Sequence, residues 1–264
     1  MKLLILSDIH ANWPALSAVL QAEPQHDDIL CLGDLVDYGP HPLECVQWAL
    51  NRLPSKMLIQ GNHDWSVSRN LDAQCSMAYK HLATVTQKMT LARLPEAELH
   101  FLSSLWPQQG FELDGNFCFA CHATPSESLF KYLTADAPAT EWRREVECAG
   151  HPAFLFVGHT HLPMFEEVDG TIIVNPGSVG QPKDGDPRAS YAVLEDGDVT
   201  IKRITYDVEA TIRAYEKTPL KQEDVAVLAE VLRTGGTRGP TLTAGAHAAH
   251  LSPGPMLSSQ KTCT

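Results

Sequence analysis

Short apolar runs followed at once by polar residues recur along the first 161 positions of the chain. Continuous apolar runs of a few residues are typical of strands that are buried inside a sheet. We therefore predict five buried strands, each ending at a polar cluster. The runs occupy residues 3–6, 29–32, 57–59, 117–121 and 154–157.

Helical spacing of apolar residues separates the first strands. It predicts a helix over 12–22 with Asn12 as its N-cap. A second helix is predicted over 41–50, with Pro42 in the first turn, where the missing amide hydrogen costs little. The segment 65–105 is mostly helical in pattern. We expect it to form a helical flap inserted beside the cleft.

Asp-Gly pairs between apolar segments predict hairpins in the second half of the chain. The chain is therefore expected to begin with parallel strands and to finish as an antiparallel second sheet. The paired segments are 111–113 with 117–121, 164–168 with 171–174, and 190–194 with 199–204.

The C-terminal part changes in composition. Two closing helices are predicted over 207–217 and 224–232. Beyond them Gly, Pro, Thr, Ser and Ala dominate without periodicity, which predicts a disordered tail over 234–264. We therefore expect one domain over 1–233, with 65–105 as its insert.

Composition narrows the function classes. No stretch approaches the roughly 20 apolar residues of a membrane span, and the first apolar run is too short for a signal peptide. Seven cysteines, an odd number, favour reduced thiols, so we expect a cytoplasmic protein. The formal charge of −12 disfavours a nucleic-acid polymer as partner. The oligomeric state stays open.

The polar clusters at the strand ends carry the candidate chemistry. Residues i and i+2 of a strand share a face, so Asp8 with His10, and His159 with His161, are each expected to point into one cleft. Ligand crevices in open α/β sheets lie outside the carboxyl ends of the strands. The clusters are Asp8-Ile9-His10, Gly33-Asp34, Gly61-Asn62-His63-Asp64, Cys121-His122 and Gly158-His159-Thr160-His161.

This series of motifs, D-x-H, GD, GNHD, H and G-H-x-H, resembles the calcineurin-like metallophosphoesterase superfamily, and the linking segments resemble its small bacterial single-domain members. The resemblance runs from Met1 to about Tyr206. It implies an α/β fold, a four-layer α/β/β/α sandwich of two mixed β-sheets flanked by helices, with 1–233 as the metallophosphoesterase domain.

The resemblance also implies a centre of two divalent or trivalent metal ions, of which Mn, Fe and Zn suit the mixed nitrogen and oxygen ligands. Asp34 would bridge both ions. The alternative is that these polar residues are satisfied by backbone hydrogen bonds. By the resemblance, Asp8, His10 and His161 would join Asp34 around one ion, and Asn62, His122 and His159 around the other.

Two further residues match the family's catalytic positions. His63 would protonate or stabilise the leaving group, for which an imidazole pKa near neutrality is suited. Asp37 would hold its ring and favour the charged form. The alternative for Asp37 is a turn residue that caps the helix at Pro42.

Candidate substrate contacts are Tyr38 and Arg188. Tyr38 would line the pocket or stack on a base, or else be a packed, partly exposed ring. Arg188 lies near Asp184 and Asp186 in sequence, and anchoring of its loop through them is the alternative. The preceding loop over 175–182 follows a strand and is assigned to structural support or to substrate contact.

The resemblance implies a dinuclear metal-dependent phosphoesterase that hydrolyses small phosphomonoesters or phosphodiesters by attack of a metal-activated hydroxide. The alternative is a dinucleoside polyphosphate hydrolase of the diadenosine tetraphosphate type. A nuclease is disfavoured by the acidic charge. A protein phosphatase is disfavoured because Tyr38 stands where those enzymes have an Arg, and a non-catalytic scaffold because every expected ligand is present.

The segment Cys118-Phe119-Ala120-Cys121-His122 has the CxxCH spacing of covalent haem attachment. In a strand, Cys118 and Cys121 would point to opposite faces, which disfavours a shared haem. The resemblance instead assigns His122 to the metal centre.

Overall fold

The computed structural model describes residues 1–54 and 57–236. Nine strands lie in this part of the chain: β1 (Lys2–Leu6), β2 (Asp28–Cys31), β3 (Gln108–Leu113), β4 (Asn116–Cys121), β5 (Phe154–Phe156), β6 (Met164–Val168), β7 (Thr171–Asn175), β8 (Ala189–Glu195) and β9 (Asp198–Ile204). Its α-helices are α1 (Trp13–Ala22), α2 (Pro42–Arg52), α3 (Asn62–Arg69), α4 (Lys80–Leu91), α5 (Glu96–Ser104), α6 (Ala139–Cys148), α7 (Val208–Ala214) and α8 (Gln222–Thr234).

The strands form two mixed sheets. The four-stranded sheet has the order β2-β1-β8-β9, in which only β1 and β2 are parallel. The five-stranded sheet has the order β3-β4-β5-β7-β6, with β4, β5 and β7 parallel. Helices pack on the outer face of each sheet. The predicted α/β/β/α sandwich is therefore confirmed.

Strand alternation divides the core into layers. In β1, Leu3 and Ile5 pack between the two sheets, whereas Leu4 and Leu6 pack against the helices on the other face. All four side chains are fully buried. Burial of such a side chain stabilises the fold by roughly 1.5–3 kcal/mol. The apolar run at residues 3–6 is continuous because both faces of this strand are covered.

The predicted hairpins form, but they do not make one antiparallel sheet. The Asp and Gly of each turn have positive φ, as at Asp169 (50°) and Gly170 (81°). The β6–β7 hairpin joins the five-stranded sheet through parallel β5, and the β8–β9 hairpin joins β1. The expectation of an antiparallel second sheet was therefore wrong. Local pairing forms a hairpin, but it does not determine which earlier strand of the chain the hairpin pairs with.

Segment 57–59 differs from the prediction of a strand. It makes one parallel bridge from Leu58 to Cys31 and another from Ile59 to Trp106. Because its two bridges go to different partners, no continuous ladder forms. The prediction of a regular strand there was wrong, although the segment still leads into the polar residues at Gly61.

The helix predictions hold with shifted ends. Asn12 caps α1 by accepting a hydrogen bond from the Ala15 amide, and Pro42 is the first residue of α2. The first closing helix is shorter than predicted and continues as a 3-10 turn over Tyr215–Lys217. Helices α3, α4 and α5 occupy most of the 65–105 segment.

Helix α8 extends to Thr234 and is closed by Gly235 at φ 74°. The rest of the predicted tail, residues 237–264, lies outside the described residues. Within the described residues, none of the helices has the length and apolar character needed to cross a membrane. None of the six cysteines in this part of the chain forms a disulfide bond, and Cys118 and Cys121 lie in different core layers.

Candidate metal centre

The candidate site lies just beyond the carboxyl ends of the central strands. Strand β1 ends at Leu6 and β5 at Phe156, so the D-x-H and H-x-H motifs are in loops rather than in strands. The alternation argument for these pairs was therefore wrong. Positive φ angles turn the side chains into the cleft instead, at Asp8 (53°), His10 (46°), Asp34 (56°), His159 (66°) and His161 (60°).

Left-handed backbone at non-glycine residues costs of order 1–3 kcal/mol each and persists where the surrounding structure holds it in place. Here the main chain is held by cross-loop hydrogen bonds. The amide of His10 donates to the Asp34 carbonyl at 2.8 Å, and the amide of Gly180 donates to the Asp8 carbonyl at 3.0 Å. The fold therefore maintains strained loops whose side chains converge.

The first group of potential ligand atoms comes from four buried side chains, Asp8, His10, Asp34 and His161. Each offers one nitrogen or carboxylate oxygen, and these four atoms lie within 4.8 Å of one another. The Nδ1 atom of His10 donates to the Val36 carbonyl at 2.9 Å, and that of His161 to the Gln181 carbonyl at 2.5 Å. Since a carbonyl only accepts, these contacts place the proton on Nδ1 and leave Nε2 with a lone pair.

The two lone pairs of this group face each other. Nε2 of His10 is 3.1 Å from Nε2 of His161, and the latter is 3.3 Å from Oδ1 of Asp8. That Asp8 oxygen is buried and has no hydrogen-bond partner, whereas Oδ2 accepts from Ser7. Acceptors packed this closely repel one another unless a cation lies among them. The residues therefore fit a metal ion.

A second group is formed by Asn62, His122 and His159. The amide nitrogen of Asn62 donates to the Ala73 carbonyl, which turns Oδ1 inward. Nε2 of His122 lies 3.0 Å and Nδ1 of His159 lies 3.1 Å from that oxygen. The outer nitrogens of the two rings donate to the carbonyls of Leu32 and Phe130. Once His122 is deprotonated, three acceptors again converge without a donor between them.

Asp34 lies between the two groups. Its Oδ2 is 3.6 Å from Nε2 of His10 in the first group and 3.3 Å from Nε2 of His122 in the second. Its Oδ1 accepts the backbone amide of His63 at 2.9 Å. One carboxylate therefore faces both sets of lone pairs, and its opposite oxygen is fixed by the main chain.

The electrostatics of the pocket keep most of the imidazoles neutral. Burial lowers the pKa of His10 to about 3 and takes the pKa values of His159 and His161 well below the usual range. Burial also disfavours charge on His122, but the Asp34 carboxylate outweighs it and raises the pKa of His122 to about 9. Neutral imidazole is the form that binds metals. Among the four candidate histidine ligands, His122 alone must lose a proton near neutral pH before it can bind a metal ion.

His63 and Asp37 form a buried pair at the edge of the centre. Nδ1 of His63 lies 2.8 Å from Oδ2 of Asp37, whose other oxygen accepts from Thr90 at 3.1 Å. Burial opposes charge on His63, but Asp34 and Asp37 together raise its pKa. The N-cap of α2 is His41, so the alternative of a capping role for Asp37 was wrong.

The two candidate substrate contacts lie in different surroundings. Tyr38 is 2% exposed, and its ring centroid lies 4.8 Å from that of His10 and 4.9 Å from that of His63. The alternative of a partly exposed ring was therefore wrong. Arg188 is held by Asp186, with Nη2 2.6 Å from Oδ2, as loop anchoring predicts. Asp184 pairs with Arg203 instead.

Sequence reasoning missed the role of Asp64. Its buried carboxylate accepts the backbone amides of Asp34 and Leu35 at 2.8 Å and that of Gly61 at 3.0 Å. It thereby ties the GD loop to the GNHD loop. A side chain at Gly61 would overlap the Asp34 carboxylate. The position of Asp64 directly after Asn62-His63 was the only signal in the sequence.

Two residues over the centre were also missed. The Tyr132 ring lies 4.0 Å from the His159 ring, and the Lys183 ammonium lies 3.4 Å from Nε2 of His161. Burial lowers the pKa of Lys183 to about 8. Lys183 follows the 175–182 loop directly, so that loop was the available signal. Arg188 was chosen as the basic residue instead.

Comparison with known proteins agrees with this geometry. A family model described as the calcineurin-like phosphoesterase superfamily domain matches residues 1–198. The chain is 31% identical over 233 residues to MJ0912, an uncharacterised protein of Methanocaldococcus jannaschii. That alignment covers 81% of this chain and 90% of MJ0912. It is also 31% identical over 198 residues to phosphodiesterase YfcE of Escherichia coli K12, covering 74% of this chain and 88% of that protein.

A solved structure has the same fold over nearly its whole length. The crystal structure of a metallophosphoesterase from Sphaerobacter thermophilus gives a TM-score of 0.74 at 31% sequence identity, covering 89% of this chain and 99% of that chain. The similarity therefore extends beyond the site to the whole sandwich.

Proposed function

This chain belongs to the calcineurin-like phosphoesterase superfamily and is a metal-dependent phosphoesterase, and from that premise we propose that it is a dinuclear enzyme for small phosphodiesters and phosphomonoesters. The proposal assigns one cation to the group of Asp8, His10 and His161. It assigns a second to the group of Asn62, His122 and His159. Asp34 is proposed to be shared by both.

The observation that carries the proposal is the position of Asp34 between two sets of lone pairs. Its Oδ2 faces a histidine of each set, at 3.6 and 3.3 Å. Once His122 is deprotonated, a single cation bound to one set would leave the acceptors of the other set buried and unpaired, which is costly. Two cations satisfy all of them.

When bound, the metal pair supplies charge neutralisation for the phosphoryl oxygens and a water of lowered pKa. The protein residues supply the rest. Asp37 holds the His63 ring by Nδ1, so Nε2 is the nitrogen left to give a proton to the leaving oxygen. The raised pKa of His63 keeps that proton available near neutral pH.

Phosphodiesters come first among the proposed substrates. The support is the 31% identity to phosphodiesterase YfcE over 88% of that protein. The formal charge of −12 favours small esters over nucleic-acid polymers, since the surface as a whole repels a polyanion. Manganese, iron and zinc are the proposed metals, because the donors are imidazole, carboxylate and amide groups.

A substrate panel with measured metal content tests the proposal. Protein loaded with Mn²⁺ is assayed on bis(p-nitrophenyl) phosphate, p-nitrophenyl phosphate, a cyclic nucleotide and diadenosine tetraphosphate. We expect hydrolysis of the nitrophenyl diester with two metal ions per chain, and its loss after chelation. If diadenosine tetraphosphate were hydrolysed faster than the other substrates, the enzyme would be a dinucleoside polyphosphate hydrolase instead. Two bound ions without turnover of any ester would contradict it.

A further inference from the structure

Lys183 places a positive charge directly over the candidate metal centre. Its Nζ lies 3.4 Å from Nε2 of His161, 4.3 Å from the ring centroid of Tyr79 and 5.8 Å from that of Tyr38. Cation–π contacts at such distances hold an ammonium group over the face of a ring. The lysine is therefore oriented toward the centre rather than toward the surrounding water.

The main chain before Lys183 is fixed to the centre itself. The Gln181 carbonyl accepts from Nδ1 of His161, and the Gln181 amide donates to Ser178 Oγ at 2.7 Å. That hydroxyl in turn donates to the Asp8 carbonyl at 2.7 Å. Lys183 lies two residues beyond this fixed main chain, so its side chain has less conformational freedom than an exposed lysine.

The charge of Lys183 is not used by an ion pair. Among the ion pairs of residues 1–54 and 57–236, none includes Lys183 within 4.0 Å of a carboxylate. By contrast, Lys131 and Lys202 each pair with a buried glutamate. The carboxylates of Asp8 and Asp34 act on this ammonium only from beyond ion-pair distance, and both face the candidate metal positions. A shielded ammonium without a direct anionic partner is costly, so this position is suited to a ligand that brings negative charge.

The contact with His161 is not compatible with metal binding by the same nitrogen. Nδ1 of His161 donates to Gln181, so the ammonium contacts the lone pair of Nε2, which is also the atom that faces Asp8. A cation held by His161 takes that lone pair. The ammonium then needs another acceptor within reach of the same side chain.

We propose that Lys183 binds a non-bridging phosphoryl oxygen of the substrate, with Tyr38 and Tyr79 holding its ammonium group in place. This rests on the proposed function of the centre. The structure thus gives Lys183 a role in substrate affinity, and Tyr38 a role in supporting that lysine instead of contacting the substrate. Because a monoester dianion has more negative charge than a diester monoanion, the contribution is larger for monoesters.

The test compares Lys183→Gln with Lys183→Arg in the metal-loaded enzyme. The matched control is Lys88→Gln, which makes the same charge change at an exposed position on α4. KM and kcat are measured on p-nitrophenyl phosphate and its bis ester, and inorganic phosphate binding by calorimetry. We expect Lys183→Gln to raise KM for the monoester roughly tenfold or more, with a smaller rise for the diester and little change in kcat.

The same variant should weaken inorganic phosphate binding by a similar factor, whereas Lys183→Arg and Lys88→Gln should stay near wild type. Unchanged KM and phosphate affinity in Lys183→Gln would overturn the proposal. Loss of metal from that variant would also overturn it, since the lysine would then support the centre itself. If the wild type hydrolyses no ester, phosphate calorimetry still tests Lys183, so that failure of the proposed function is distinguishable.

Discussion

Nδ1 of His63 lies 2.8 Å from Oδ2 of Asp37, and both side chains are buried beside the candidate metal centre. The contact fixes the ring, because Asp37 is itself held through its other oxygen by Thr90. The backbone amide of His63 is held at the same time by Asp34. The His63 ring therefore has one orientation and one free nitrogen, as the proposed role of general acid requires.

Replacement of His63 by Ala should slow turnover most for esters with poor leaving groups. Loss of a positioned general acid lowers kcat by about 10²–10⁴-fold, whereas p-nitrophenolate leaves without much help. The measurement is kcat for alkyl and nitrophenyl esters of the same phosphate, together with metal content. His100→Ala, at an exposed site on α5, is the control. Full turnover of the alkyl ester with both metals bound would rule out the acid role.

Asp37→Asn should shift the basic limb of the pH profile of kcat to lower pH. Asp34 and Asp37 raise the pKa of His63 against the effect of burial. Removal of the Asp37 charge lowers that pKa, so the ring loses its proton at a lower pH and less acid is available above neutrality. We expect roughly tenfold lower kcat near pH 8. If the basic limb of the pH profile stayed at the same pH while circular dichroism showed an intact fold, Asp37 would not act on His63.

Metal stoichiometry should distinguish Asp34 from Asp8. Asp34 faces histidines of both acceptor groups, whereas Asp8 Oδ1 contacts only the first group, at 3.3 Å from His161. We expect Asp8→Asn to retain one metal ion per chain and Asp34→Asn to lose both after dialysis. Elemental analysis of the dialysed proteins measures this. If Asp34→Asn retained the same single ion as Asp8→Asn, a bridging role would be excluded.

Metal affinity should increase with pH through the neutral range. In the metal-free pocket the pKa of His122 is raised to about 9, with Asp34 outweighing the opposing effect of burial. Below that pH a metal ion must displace a proton from the ring, so the apparent affinity should rise roughly tenfold per pH unit between pH 7 and 9 and level off above. Calorimetry in buffers of different ionisation enthalpy counts the released proton. A flat affinity over this range would contradict the prediction.

The strands and hairpins could be predicted from the sequence because their evidence is local, whereas the sandwich was implied by the family resemblance of the motifs. Buried strands read as continuous apolar runs, and the Asp-Gly turns have the positive φ angles that such pairs favour. What the sequence could not predict was which strand β8 joins. That pairing with β1 depends on contacts between residues about 190 positions apart, such as Leu3 with Leu194.

In the candidate site, too, the residue types could be predicted from the sequence but their arrangement could not. The order of motifs placed seven candidate metal ligands at strand ends, but the reason given for their convergence was wrong at Asp8 and His161. Both lie in left-handed loops beyond the strands. Alternation is a property of extended backbone, and the strain in these loops is supported only by the packed structure around them.

The amino-acid sequence by itself thus determined which chemical groups are available to the candidate centre, through residue type and the order of motifs that carries the family resemblance. It also determined most of the strands that precede them, because buried strands follow from local apolar runs. Only the tertiary structure decided which lone pairs face one another and that Asp34 lies between two sets. It also decided that Lys183, rather than Arg188, approaches the pocket. These relations depend on side-chain directions and on distances across loops far apart in the chain, which no local pattern encodes.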